Sequence, residues 1–180
     1  MTQTNYSTAV EAAKEMAHKR MAEFEDYLRM ESVSTENRQI PETVAYVKGL
    51  IERTGGEVQV LDDLGGNPVI YGYFKASPQG NSERTLLFYN HYDVQPSDPL
   101  EEWRTEPFEP TVVDGVLYAR GVSDNKANFM ARLNALSLLN ESGGLSCNVK
   151  FLLEGEEEIG SPNLGKYIEK YADLFKADAC

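Results

Sequence analysis

Leu86-Leu87-Phe88-Tyr89 is an apolar, partly aromatic run without a polar break, and His91 and Asp93 follow it almost at once. Such a run suits a short strand buried on both faces of a sheet, which requires layers of structure above and below it. Residues just beyond the end of a buried strand sit where open α/β sheets bind their ligands, and alternate residues of extended chain point the same way. The pair therefore sets an imidazole beside a carboxylate. Taken alone it has two readings, a loop histidine that donates a hydrogen bond or a metal or catalytic group.

The flanking patterns alternate helix and strand. Val10, Met16, Met21, Phe24 and Leu28, set among Glu, Lys and Ala, predict one long amphipathic helix over 7–30 with Ser7 as its N-cap. His18 lies in it beside Lys19 and Arg20 and belongs to a solvated face. Pro41 opens a second helix through Val44, Val47, Leu50 and Ile51, which Gly55 and Gly56 stop. Alternation predicts half-buried strands over 57–61 and 68–74, joined through Gly65 and Gly66, and 76–83 reads as a turn. The proline-punctuated passage 95–110 lacks periodicity, and Trp103 and Phe108 are expected to pin it. Asp114-Gly115, between Val112-Val113 and Val116-Leu117-Tyr118, is a strong hairpin signal.

Two more loops carry candidate chemistry. Arg120-Gly121-Val122-Ser123-Asp124-Asn125-Lys126 leads into a helix marked by Phe129, Leu133, Leu136 and Leu139 that ends near Gly143-Gly144. At a helix start Asp124 reads either as an N-cap or as a ligand, and Lys126 is compatible with both. The strand predicted over 147–153 runs directly into Glu154-Gly155-Glu156-Glu157-Glu158. Carboxylates gathered so closely repel one another and favour a counter-cation. Ser161 and Pro162 then start a helix through Leu164, Tyr167, Ile168 and Tyr171 to Phe175, and 177–180 reads as the beginning of a further strand.

Composition narrows the classes. The net charge of −12, with no basic cluster, argues against nucleic acid as a partner. The two cysteines, Cys147 in a strand and read as a core residue and Cys180 at the last position, make no disulfide framework. The polar N-terminus and the lack of a long apolar segment predict a cytoplasmic protein with no membrane partner. No linker or repeat divides the 180 residues, so one piece is expected. Ser123 has no histidine nearby in sequence to activate it as a nucleophile. His, Asp and Glu donors without cysteine suit a catalytic zinc-type site, and the carboxylate excess allows two metals that share an Asp.

The runs Asn90-His91-Tyr92-Asp93-Val94-Gln95-Pro96, Gly121-Val122-Ser123-Asp124-Asn125-Lys126 and 153–161, Leu-Glu-Gly-Glu-Glu-Glu-Ile-Gly-Ser, resemble the signature segments of the di-zinc peptidase and amidohydrolase family. That family holds carnosinase-type dipeptidases, aminoacylase, acetylornithine deacetylase, succinyl-diaminopimelate desuccinylase and glutamate carboxypeptidases. The passage 103–108 and the Asp114-Gly115 hairpin resemble its dipeptidase branch, and the likeness covers residues 10–180. It implies an α/β/α sandwich around a mixed sheet and two zinc ions, with cobalt or manganese as alternatives. His91 is then implied as a ligand of one zinc, Asp124 as the bridge and Glu158 as a ligand of the second. Asp93 is implied to orient the His91 imidazole, and Glu157 to be the general base, with Glu156 a neighbour. The implied reaction is hydrolysis of an amide bond in a dipeptide or N-acyl amino acid.

Asn90, Asn125 and Ala127 stand where the family commonly has Gly, Asp and Gly, which implies altered local geometry. The resemblance also implies that residues 1–180 are the N-terminal part of a catalytic domain. The family's further acidic ligand, its second metal-binding histidine and its lid domain, which mediates dimerisation to a homodimer, are expected beyond them. Each zinc is then expected to have two of its usual protein ligands here, and the fragment to be inert alone. A function of another class, a binding or assembly module that keeps the loops without the enzyme, fits the same residues.

Overall fold

The computed structural model describes residues 6–180. In chain order the helices α1 (Tyr6–Lys19), α2 (Met21–Arg29) and α3 (Ile40–Arg53) precede strands β1 (Glu57–Leu61), β2 (Val69–Phe74) and β3 (Asn81–His91). A hairpin of β4 (Thr111–Val113) and β5 (Val116–Tyr118) follows, then α4 (Ala127–Glu141), β6 (Cys147–Glu154), α5 (Leu164–Lys170) and α6 (Ala172–Phe175). The main sheet has four strands in the order β1-β2-β6-β3. β1 with β2 and β2 with β6 run antiparallel, and β3 runs parallel to β6.

Each face of this sheet is apolar and each is covered, which gives the three-layer α/β/α sandwich. On one face Tyr27, Val47, Leu50, Ile51, Phe129 and Leu133 pack on Ile70, Phe151 and Leu153. On the other, Tyr167 and Phe175 close over Leu61, Val69, Tyr71 and Leu152. Aromatic contacts stitch the first layer, with Phe129 edge-on to Phe151 at a centroid separation of 5.5 Å.

Several local expectations change once neighbours are present. The helix over 7–30 is two helices: Arg20, at φ −105° and ψ 12°, breaks it, and its Nε donates to Glu23 at 2.7 Å. α1 lies against α4 whereas α2 lies against α3 and the 122–126 turn, so tertiary packing bends a segment that hydropathy reads as continuous. Ser7 lies inside α1, not at its cap. Tyr27, fully buried, joins the core although the periodicity passed it over. His18 is exposed.

β2 is buried on nearly every residue because it lies between β1 and β6 with helices over both faces. β3 is the reverse case. It is longer than the apolar run and ends the sheet order, so Tyr89 stays 38% exposed. Asn81, predicted in a turn, begins it. Along its outer side Leu87 donates to the Ala179 carbonyl at 2.9 Å, so the strand expected over 177–180 is a single isolated bridge, parallel to Leu86. Leu139 is 49% exposed and Cys147 only half-buried, so neither is the core residue that its pattern suggests. Ser161 has φ +52° and cannot open a helix; α5 begins at Leu164 and the helical stretch breaks again at Tyr171. Among the described residues no helix is long and apolar enough to cross a membrane.

Candidate metal centre

β3 and β6 are parallel, so the loops that leave them emerge at the same end of the sheet. His91 and Glu154, the last residues of these strands, are register partners. The Tyr92 N–H donates to the Glu154 carbonyl at 2.9 Å and keeps the two chains together one step further. Ser32 holds 92–94 from the other side: its Oγ donates to the Tyr92 carbonyl at 2.7 Å and its carbonyl accepts from Val94 N–H at 2.9 Å. The segment after β3 is thus fixed before any ligand arrives.

The His91 imidazole is 3% exposed. Its Nδ1 lies 3.1 Å from the Asp93 carbonyl oxygen and 3.4 Å from Asp93 Oδ1, so both acceptors of one residue hold that edge of the ring. Nε2 faces outward, 2.9 Å from Asp124 Oδ1 and 3.8 Å from Glu157 Oε2. Burial pulls the imidazole pKa down, but the Asp93 and Asp124 carboxylates outweigh it and raise the pKa to about 9. These acceptors favour the protonated form of the ring.

Asp124 reaches this position from a tight turn, 122–126. Gly121 enters it with φ +75°, and a Cβ there would lie 2.4 Å from Val94 Cγ1, so both backbone angle and space require glycine. Asp124 itself is extended, at φ −125° and ψ 95°, and caps no helix; its side chain is 73% exposed and turned to His91. A contact across the sheet end thereby takes the place of the N-cap that the sequence also allows. Lys126 anchors the turn from below. It is fully buried, donates to the Tyr27 carbonyl at 2.9 Å and to the Met30 carbonyl, and sits 4.8 Å from the centroid of the Tyr27 ring. Burial pushes its pKa down to about 7. Asn125 Oδ1 accepts from Asn90 Nδ2, and Asn90 Oδ1 accepts from Arg132, so two of the positions that depart from the family pattern touch each other.

The acidic loop sorts its carboxylates by direction. Glu154 Oε1 accepts from Tyr89 Oη at 2.5 Å and Ser161 Oγ at 2.8 Å, and burial raises its pKa. Glu156 points away from His91, accepting from Asn67 N–H at 3.1 Å and from Asn163 Nδ2 at 3.0 Å, which ties the β1–β2 loop to the approach of α5. Glu157 and Glu158, in the single helical turn Glu157–Ile159, face the histidine. The fully buried Asp93 carboxylate caps that turn, accepting from Glu157 N–H at 3.3 Å and Glu158 N–H at 3.1 Å. Burial raises the Glu158 pKa, and the Gln95 amide opposes the rise.

His91, Glu157 and Glu158 each offer an atom within 4.8 Å of the others. The sequence-predicted site residues His91, Asp93, Asp124, Glu157 and Glu158 are thus brought to one sheet end. That group differs from the implied ligand set in holding Glu157 and not Asp124, which meets the histidine from the open side. Sequence reasoning missed Gln95 as a member. The signal was present in its spacing, because 91, 93 and 95 alternate along extended chain.

The family model described as "Peptidase family M20/M25/M40" matches residues 87–180. The chain is 39% identical over 130 residues to a Saccharomyces cerevisiae protein described as "Probable di- and tripeptidase DUG2", covering 69% of this chain and 15% of that protein. It is 42% identical over 109 residues to human Beta-Ala-His dipeptidase, covering 60% of this chain and 21% of that one. Among solved structures it matches the M20 family metallo-carboxypeptidase Sso-CP2 from Sulfolobus solfataricus with a TM-score of 0.82 and 43% identity, over 88% of this chain and 36% of that one. Human carnosine dipeptidase 1 matches with a TM-score of 0.79 and 31% identity, over 92% of this chain and 38% of that one. The chain spans between 15% and 30% of the length of the first curated relatives it matches.

Proposed function

The chain belongs to peptidase family M20/M25/M40, and from that premise we propose that it forms the metal-bearing part of a catalytic domain that hydrolyses a dipeptide or N-acyl amino acid. The observation that carries this reading is the convergence of His91 Nε2, Asp124, Glu157 and Glu158 from three separate loops. Residues 1–180 are read as the N-terminal part of that domain, and a peptide as its substrate, in keeping with the dipeptidase names of the relatives.

The donor set fits a divalent cation. An imidazole whose Nδ1 is held by Asp93 presents its other nitrogen, and the Asp124 and Glu157 carboxylates gather round that nitrogen at 2.9 and 3.8 Å. His91, Asp124 and Glu158 would hold the metal, with zinc the choice that imidazole and carboxylate donors favour and cobalt or manganese able to replace it. When bound, such an ion supplies a Lewis acid that polarises a carbonyl and makes a water more acidic.

The remaining steps belong to the chain's own side chains. The Glu157 carboxylate, 41% exposed and 3.8 Å from His91 Nε2, is placed to accept a proton from the attacking water and pass it to the leaving amine. Asp93 keeps the imidazole oriented and at the same time fixes the backbone from which Glu157 and Glu158 project.

Zinc uptake by the purified chain, measured by equilibrium dialysis beside Asp124→Ala, tests the reading. Tight uptake that the variant loses supports it and justifies assays on β-Ala-His and Cys-Gly. A wild-type chain that takes up no zinc overturns it for these residues.

A further inference from the structure

We infer that Gln95 is a positioning residue for the metal centre, setting the Glu158 carboxylate in place through its side-chain amide; the inference rests on the reading of Glu158 as a ligand. Gln95 Nε2 lies 2.9 Å from the Glu158 backbone carbonyl oxygen and 2.9 Å from Glu158 Oε2. One NH₂ group has two protons, and both go to the same glutamate. The side chain of Glu158 is thereby tied to its own backbone, which removes rotamer freedom that the carboxylate would otherwise lose only on binding a cation.

The contact completes a grip of one loop on another. From alternate positions His91 turns Nε2 into the centre, Asp93 accepts the N–H groups of Glu157 and Glu158, and Gln95 donates to the carbonyl and carboxylate of Glu158. Asp93 thus holds the start of the Glu157–Ile159 turn and Gln95 the acidic side chain that leaves it. Gln95 is exposed and lies outside both apolar clusters, so a substitution leaves the core contacts in place.

The test compares wild-type chain with Gln95→Ala and Gln95→Met, the second retaining the stem without the donors. Zinc affinity is measured by chelator competition, and Co²⁺ is used in parallel because its visible absorption reports ligand geometry. Both variants are expected to keep the wild-type circular dichroism and urea midpoint, to bind zinc about 10–100-fold more weakly, and to shift the Co²⁺ bands. Variants that bind as the wild type does, with unchanged Co²⁺ spectra, overturn the inference and leave the metal reading intact. Variants that lose the fold also overturn it, since the role is then structural. A wild-type chain that binds neither ion overturns the metal reading and this inference together.

Discussion

The buried Lys126 ammonium group donates to the Tyr27 carbonyl at 2.9 Å across 99 positions of sequence, and so ties the turn that carries Asp124 to the end of α2. The Met30 carbonyl takes a second hydrogen bond from the same nitrogen. Replacing the lysine by an apolar side chain takes this donor from the Met30 carbonyl, while the Tyr27 carbonyl keeps the Met30 N–H at 3.2 Å; an unsatisfied buried group costs about 1–3 kcal/mol. Lys126→Met is therefore expected to lose about 1–3 kcal/mol in urea unfolding. Zinc uptake should weaken as well, because the Asp124 turn loses its anchor.

Asp93 is predicted to be the site residue whose loss costs the fold most. It is fully buried and accepts two backbone N–H groups while flanking the imidazole. Asp93→Ala leaves those donors unpaired and should cost about 2–4 kcal/mol, whereas Asp93→Asn keeps one acceptor oxygen and should cost less. Urea titration of the metal-free proteins gives the order; equal midpoints for wild type and Asp93→Ala would contradict it.

The stability of the metal-free chain should depend on pH through His91. Its folded pKa is raised to about 9, against an ordinary value of about 6.5 in the unfolded chain. A raised base binds its proton more tightly when folded, so its contribution is fully present below pH 6.5 and is lost as pH rises through 9. The difference in urea midpoint between wild type and His91→Asn should shrink between pH 6 and pH 9.5, conditions chosen to bracket those values. A difference that does not change with pH would show that the imidazole carries no extra proton.

Glu157 and Glu158 are adjacent but are predicted to fail in different ways. Glu157→Gln should leave zinc affinity within a few-fold and lower the rate of dipeptide hydrolysis by about 10²–10⁴, the usual worth of a general base. Glu158→Gln should weaken zinc binding first, with activity recovering as zinc is added. Dialysis and a rate assay over a zinc series, on any form of the protein that hydrolyses a dipeptide, separate the two patterns.

Much of the architecture was legible in the residues. Apolar runs that end abruptly in polar chemistry marked β3 and β6, Asp114-Gly115 marked the hairpin through its positive φ values, and the donors followed the strands as they do in open α/β sheets. Periodicity reports only local geometry, and so it passed over the break at Arg20 and the exposed edge of β3, both of which depend on what lies alongside.

By itself the sequence determined the class of sheet, the loops that carry chemistry and the kind of donors available, because strand length, turn residues and side-chain type are local properties. Spacing alone could not choose among Glu156, Glu157 and Glu158, which only the family resemblance told apart, nor separate a capping Asp124 from one turned toward a histidine. Those choices came from contacts between segments far apart in the chain. Asn67 and Asn163 draw Glu156 away, Tyr89 and Ser161 hold Glu154, and Asp93 and Gln95 set Glu157 and Glu158 beside His91. In a turn with no repeating geometry, a side chain points where distant hydrogen-bond partners fix its backbone, and only the tertiary structure brings those partners within reach.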